Sequence, residues 1–298
     1  MKDKMNERIV PEVPPAGRKL RLLIDTDAAN EIDDLYAIAL AVRSPDRFAL
    51  EGLVATHYGQ QGETGGPHTI RQSYDLILEL LAAGGFEGRY RVEMGGDPMV
   101  YMTVPVESAG ARFIIERAHT GSAEEPLWVV ALGAGSNFAS ALLLDPSIAP
   151  KIRFVFHVRS EWSWPQRSEQ FNVAGDIPAA RHILISGVPL VWFDTGTQLT
   201  CPMAETEAKL KPLGGMPAFL HDFRYRRDYF QSEKKGFFDL GDIAWLMDPS
   251  VAEREIVDVP HMDYLMRFQT RGDLGKMLRV HSIRREPVWK LFFERMRT

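Results

Sequence analysis

The stretch 20-LRLLIDTDAANEIDDLYAIALAV-42 places two apolar runs on either side of five carboxylates, Asp25, Asp27, Glu31, Asp33 and Asp34, that fall within ten positions. The first run, 20-LRLLI-24, reads as a strand. After it, Ile32, Leu35, Tyr36, Ile38, Ala39 and Val42 recur at i, i+3 and i+4, the spacing of a helix with one apolar face, and Asp33 and Asp34 sit in its first turn. A strand that feeds a helix this directly is a βα unit. In open α/β sheets the carboxyl ends of the strands are where sites are built, so Asp25 and Asp27 are delivered to such an edge.

The same alternation continues along the chain. Strands are expected at 51-EGLVAT-56, 90-YRVEM-94, 127-LWVVAL-132, 152-IRFVFHV-158 and 189-PLVWF-193, and helices near 32–43, 68–83, 107–119, 136–144, 176–186, 203–211, 216–229, 240–247 and 286–297. A closing strand or two is expected near 255–270, with loops at 62-GETGGP-67 and 212-PLGGMP-217. This predicts an α/β fold: one domain over 20–298 with a mostly parallel central sheet flanked by helices. The polar, proline-bearing residues 1–19 read as a flexible N-terminal arm without a signal peptide's apolar core.

Composition narrows the functional classes. The 298 residues are 45% apolar and 25% charged, with a formal net charge of −5 and no basic stripe, which argues against nucleic acid as a partner. No apolar run approaches the length needed to cross a bilayer, and the single Cys201 cannot form an intramolecular disulfide, so a cytoplasmic protein is expected. Cys201 has no basic or histidine motif beside it and reads as a structural thiol.

Helix capping accounts for about two of the five clustered carboxylates. The others repel one another unless protonated, hydrated or holding a cation, and a hard divalent metal with all-oxygen ligands is the economical solution. A DxD after a first strand also occurs in haloacid-dehalogenase-type phosphatases, but nothing downstream supplies their usual Lys and late acidic pair.

Four ordered motifs give a better match. With the opening 25-DTDAANEIDD-34, the segments 132-LGAGSN-137 with 145-DPSIAPKI-152, then 170-QFNVAGDIPAA-180, then 238-FDLGDIAWLMDP-249 resemble the nucleoside hydrolase family of inosine/uridine-preferring N-ribohydrolases. The resemblance implies a Ca²⁺ held by Asp27, Asp34, Asp239 and the backbone carbonyl of Ser136. It also implies Asp27 as the base that takes a proton from metal-bound water, and a small ribosyl substrate whose hydroxyls meet Asp33, Asn172 and Asp239. Asp25 would support these from behind. Homodimers or homotetramers are common in the family, and that assembly is expected here.

Three departures concern the leaving group. Phe238 stands where purine-accepting members often carry a proton-donating His, Gln170 replaces a Glu beside Asn172, and the aspartate motif is two residues longer and lacks Pro–Gly. His57 or Gln60, after the second strand, is a candidate to face the substrate, as are Trp162, Trp164, Tyr225 and Tyr229. Gly95–Gly96–Asp97 is expected to shape the pocket floor. The expected activity is Ca²⁺-dependent hydrolysis of the N-glycosidic bond of a ribonucleoside or related ribosyl compound. The alternatives are a hydrolase of a different glycoside and a non-catalytic ribose- or nucleoside-binding protein.

Overall fold

The computed structural model describes residues 8–59 and 67–297. Gln60 and the 62–66 part of the expected glycine-rich loop lie outside the described residues, and Pro67 opens a helix. Ten strands are described: β1 (Leu20–Thr26), β2 (Phe48–Ala55), β3 (Val92–Met94), β4 (Leu127–Ala131), β5 (Ile152–His157), β6 (Leu190–Phe193), β7 (Glu253–Asp258), β8 (His261–Met262), β9 (Phe268–Gln269) and β10 (Lys276–His281). Eight of them form one sheet in the order β3-β2-β1-β4-β5-β6-β10-β7, and all neighbours are parallel except β10 and β7.

Strand residues alternate between two cores, as the period of two demands. Leu20, Leu22, Ile24, Trp128, Val130, Val155 and Val191 enter one core with the helices Asp33–Val42, Pro67–Ala83, Leu240–Met247 and Arg285–Met296. Leu23, Leu127, Val129, Phe154, Phe156 and Trp192 enter the other with the helices Ala109–His119, Ser136–Leu144 and Ile177–Ile185. Burial on both faces explains why the strands read as continuous apolar runs instead of alternating ones. Each fully buried large side chain contributes roughly 1.5–3 kcal/mol over its exposed state.

This winding fixes where a site can form. From β1 the chain moves outward to β2 and β3, then returns to the other side of β1 for β4, β5 and β6. The order therefore reverses between β1 and β4, and the loops that leave their carboxyl ends diverge into a crevice. Those loops are the residues after Thr26 and after Ala131.

Four features differ from the sequence reading. The helix Asp33–Val42 is buried on all sides, because the helices Leu240–Met247 and Arg285–Met296 cover the face turned away from the sheet. The described part of the N-terminal segment is a strap and not a free arm: Arg8 is buried and donates to the Leu184 carbonyl at 2.9 Å, while Arg47 donates to the carbonyls of Pro14, Pro15 and Arg18. Strand β10 was unexpected, since Lys276 and Arg279 interrupt its apolar residues. The helix expected over 216–229 stops at Phe223, where the buried Arg224 turns to donate to the carbonyls of Phe230 and Cys201.

Candidate active site

The carboxyl end of β1 carries Asp25 and Thr26, and the next turn carries Asp27. All five of Asp25, Asp27, Asp33, Asp34 and Asp239 are buried. Asp33 and Asp34 are brought in by the first turn of the helix after the loop, and Asp239 by the residue that precedes the helix Leu240–Met247. That last helix packs against Asp33–Val42, which is how residues two hundred positions apart meet.

The tightest grouping is Asp33, Asp34 and Asp239, which offer carboxylate oxygens all within 4.8 Å of one another. Burial and then the charges of Asp33 and Asp34 raise Asp239 well above the usual carboxylate range. Burial, then Asp34 and Asp33, do the same to Asp27. Asp34, to which Thr26 donates a hydrogen bond, is raised to about 7 by burial and by Asp33. Asp33 is the exception. Burial pushes it up, but the Lys235 ammonium at 3.0 Å outweighs this, and Asp33 ends below its ordinary value. The Asp239 N–H also donates to Asp33 at 3.3 Å.

Buried carboxylates that raise one another above the ordinary range, with one buried cation among several of them, form a set of hard oxygen donors short of positive charge. A divalent cation fits that set by both charge and donor type. Asp27 lies outside the three-carboxylate group but is close enough to feel Asp34 and Asp33, and the Asn30 amide steadies it at 3.0 Å. Gly133 is required opposite: a Cβ there would lie 2.5 Å from Thr56 and 3.0 Å from Asp27.

Behind these residues runs a supporting chain. The Gly96 N–H donates to the Asn137 side-chain oxygen at 2.8 Å, and the Asn137 amide donates to Asp25 at 3.0 Å. A Cβ on Gly95 would come within 2.4 Å of Asn137, so the glycine turn fixes Asn137. Asp25 keeps its second oxygen buried and without a partner, and burial raises it to about 7.

Ser136 and His57 are at the same edge. The Ser136 hydroxyl donates to Asp176 at 2.6 Å and lies 2.7 Å from His57 Nε2. With its proton on Asp176, the hydroxyl must accept from His57, so the imidazole is protonated on Nε2 and presents a buried, unpartnered Nδ1. Burial holds His57 down at about 4, which keeps it neutral. This chain is no nucleophilic triad, because the carboxylate orients the serine and not the histidine.

Asn172 and Gln170, expected beside the ribose, have structural partners. The Asn172 amide donates to the Leu132 and His157 carbonyls, and the Gln170 side-chain oxygen caps the short helix Phe171–Gly175 by accepting from the Asn172 and Val173 N–H groups. Trp164 packs on Phe268 and Arg279, whereas Trp162 is exposed. Tyr225 stacks edge-on against His221. Cys201 is buried and its thiol is pushed up to about 12, first by burial, so no thiolate forms.

Three residues at the site escaped the sequence reading. His157, the last residue of β5, lies 2.7 Å from Asp242 and 3.5 Å from Asp239, and the three offer a second set of donors within 4.8 Å. Lys235 is buried between Asp33 and Glu31. Arg159 follows β5 and lays its guanidinium 3.7 Å over the Phe238 ring. The rule that singled out Asp25, a polar residue ending a parallel strand, applies equally to His157.

Known proteins share this fold. The family model described as inosine-uridine preferring nucleoside hydrolase matches residues 22–286. A pyrimidine-specific ribonucleoside hydrolase, RihB, from Shigella sonnei is 26% identical over 259 residues, covering 78% of this chain and 79% of its own. Among solved structures, a purine-preferring ribonucleoside hydrolase from Gardnerella vaginalis superposes with a TM-score of 0.73 at 19% identity, covering 93% of this chain and 98% of its own. A plant nucleoside hydrolase, PpNRh1, superposes with 0.72 at 16% identity, covering 94% and 100%. No helix among the described residues is long and apolar enough to cross a membrane.

Proposed function

The chain belongs to the inosine-uridine preferring nucleoside hydrolase family, a family of N-glycosyl hydrolases, and on that premise we propose that it cleaves a ribonucleoside or closely related riboside with the help of Ca²⁺. The observation that carries this reading is the buried carboxylate group of Asp33, Asp34 and Asp239 with Asp27 beside it, in which Lys235 compensates Asp33 and leaves the others raised by burial and by one another. Ca²⁺ suits it better than Mg²⁺, since six to eight oxygens at irregular angles satisfy Ca²⁺ and the donors come from three separate segments. Asp27, Asp34, Asp239 and the Ser136 carbonyl would hold the ion, with Asp33 next to them. When bound, the ion would lower the pKa of a coordinated water and orient it.

The remaining chemistry belongs to side chains. Cleavage of an N-glycosidic bond develops positive charge on the sugar and needs a base for the attacking water. Asp27 is the base, its own position held by Asn30 and by contact with Gly133. Asp33 and Asp239 accept hydrogen bonds from the ribose hydroxyls, and Lys235 keeps Asp33 ionised for that purpose. Negative charge gathered under the sugar also favours the cationic transition state over the neutral ground state. Asn172 acts by fixing the loops after β4 and β5, whose carbonyls it bridges.

The test is turnover of a panel of ribonucleosides and p-nitrophenyl riboside, with Ca²⁺ and after chelation, beside Asp27→Asn. Metal-dependent cleavage that the substitution abolishes is expected. Tight riboside binding with no turnover of any member would replace the hydrolase with a binding protein.

A further inference from the structure

Phe238, the residue before Asp239, is half-buried and carries two cationic side chains over its ring, and neither of the described neighbours Lys235 and Tyr229 is a strong acid for a departing base. Lys235 sits 4.7 Å over the ring, but its three donors face Asp33, Glu31 and the Gly236 carbonyl. Tyr229 lies 5.7 Å from that ammonium, and burial and then Glu31 raise its phenol above the ordinary value, which makes it a weaker acid than a free phenol. Among the described residues around this ring, a departing base meets no strong acid.

Arg159 supplies something else. Its guanidinium lies 3.7 Å over the Phe238 ring, its Nε is buried without a hydrogen-bond partner, and no carboxylate among the described residues forms an ion pair with it. Glu31, the nearest opposing charge, is held by Lys235 at 2.5 Å. The backbone aims the side chain deliberately: Val158 and Arg159 both donate to the Phe193 carbonyl, and Arg159 adopts a φ of +22°, a conformation that a non-glycine residue holds only when its surroundings impose it. A planar fork of donors held flat against an aromatic ring matches a carboxylate lying in the plane of that fork.

We propose that Arg159 and Phe238 form a subsite for an anionic aglycone, and that the substrate class is an N-riboside of a carboxylate-bearing heterocycle whose nitrogen leaves without a proton. The inference rests on the hydrolase reading and deepens it. A pyridinium riboside meets both conditions. The C1′–N bond breaks with its electron pair returning to the ring nitrogen, water forms the C1′–O bond, and its proton passes to Asp27. The base departs neutral at nitrogen and anionic at its carboxylate.

Nicotinate riboside and nicotinamide riboside differ only in carboxylate against amide and are the probes. For the wild-type protein the kcat/KM ratio of acid to amide should be about tenfold or more, the worth of one charge-assisted pair. Arg159→Gln should bring that ratio close to one, and Arg159→Lys should restore part of it; circular dichroism checks that both fold. The same preference should appear in calorimetric binding to Asp27→Asn protein. A ratio at or below one in the wild type, or one that Arg159→Gln leaves intact, overturns the subsite. An Arg159-dependent binding preference without any wild-type turnover upholds the subsite and overturns the hydrolase reading instead.

Discussion

The two ends of the central sheet treat charge in opposite ways. At the amino end, Glu51 accepts from Arg21 at 2.6 Å and Arg117 at 2.7 Å, Arg21 also donates to the Arg117 carbonyl, and Arg153 donates to the carbonyls of Ala123 and Pro150. The ions named there are matched within the chain, although Arg8 and Arg43 at that end keep buried nitrogens without a partner. At the carboxyl end, Asp27, Asp34 and Asp239 crowd together with Lys235 committed to Asp33 and Glu31, and orphan atoms remain on Asp25, His57, Asp242 and Arg159. A folded chain removes such frustration unless a ligand resolves it, so the contrast marks one end as scaffold and the other as workplace.

Substitutions can break this contrast. The largest effect is expected from Asp27→Asn, which should lower kcat by about 10²–10⁴-fold, the usual worth of a general base, while calorimetry still finds one Ca²⁺ site, weakened by the loss of one ligand charge. Lys235→Met strands Asp33 and Glu31 without their cation. Urea unfolding should show a loss of about 3–5 kcal/mol, the cost of breaking a buried pair.

The pH dependence of the metal-free protein comes next. Asp25 and Asp34 have folded values of about 7 against an ordinary 3.8, so the native state holds these protons more tightly than the unfolded chain. Their contribution to stability is complete below about 3.8 and is lost as pH rises through about 7. Thermal melts after chelation should therefore fall by several degrees between pH 5 and pH 8, and Ca²⁺ should flatten the profile; a chelated protein that is more stable at pH 8 than at pH 5 would contradict the assignment. At the scaffold end, Glu51→Gln should cost about 2 kcal/mol by weakening three charge-assisted hydrogen bonds and leave kcat unchanged. Smallest is Ser108→Ala, which removes the cap on the Ala111 N–H and should cost about 1 kcal/mol, again without effect on turnover.

Much of the layout was legible because it follows local rules. Runs such as 127-LWVVAL-132 are buried on both faces and announce parallel strands, and carboxylates packed into one strand-to-helix corner announce a site. What stayed hidden depends on distant partners. Lys235 lies in an ordinary polar turn, and only the packing of the helix Leu240–Met247 on Asp33–Val42 brings it to Asp33. Asp242 reads as a first-turn carboxylate until His157 is placed 2.7 Å away. Gln170 and Asn172 show the reverse. Their motif points to substrate contact, yet the Gln170 side chain caps a helix and the Asn172 amide ties two loops together, roles that no spacing in the sequence distinguishes. Arg159 combines both difficulties, since its meaning depends on an aromatic ring 79 positions later and on the absence of a partner.

The claim on which the rest depends is that the buried carboxylates hold one hard divalent cation. Calorimetric titration of Ca²⁺ into the chelated protein, with Asp239→Asn in parallel, addresses it directly. The account predicts a single saturable site in the wild type with a matching rise in melting temperature, both lost in Asp239→Asn. Absence of binding in the wild type, or equal binding by the variant, would contradict it.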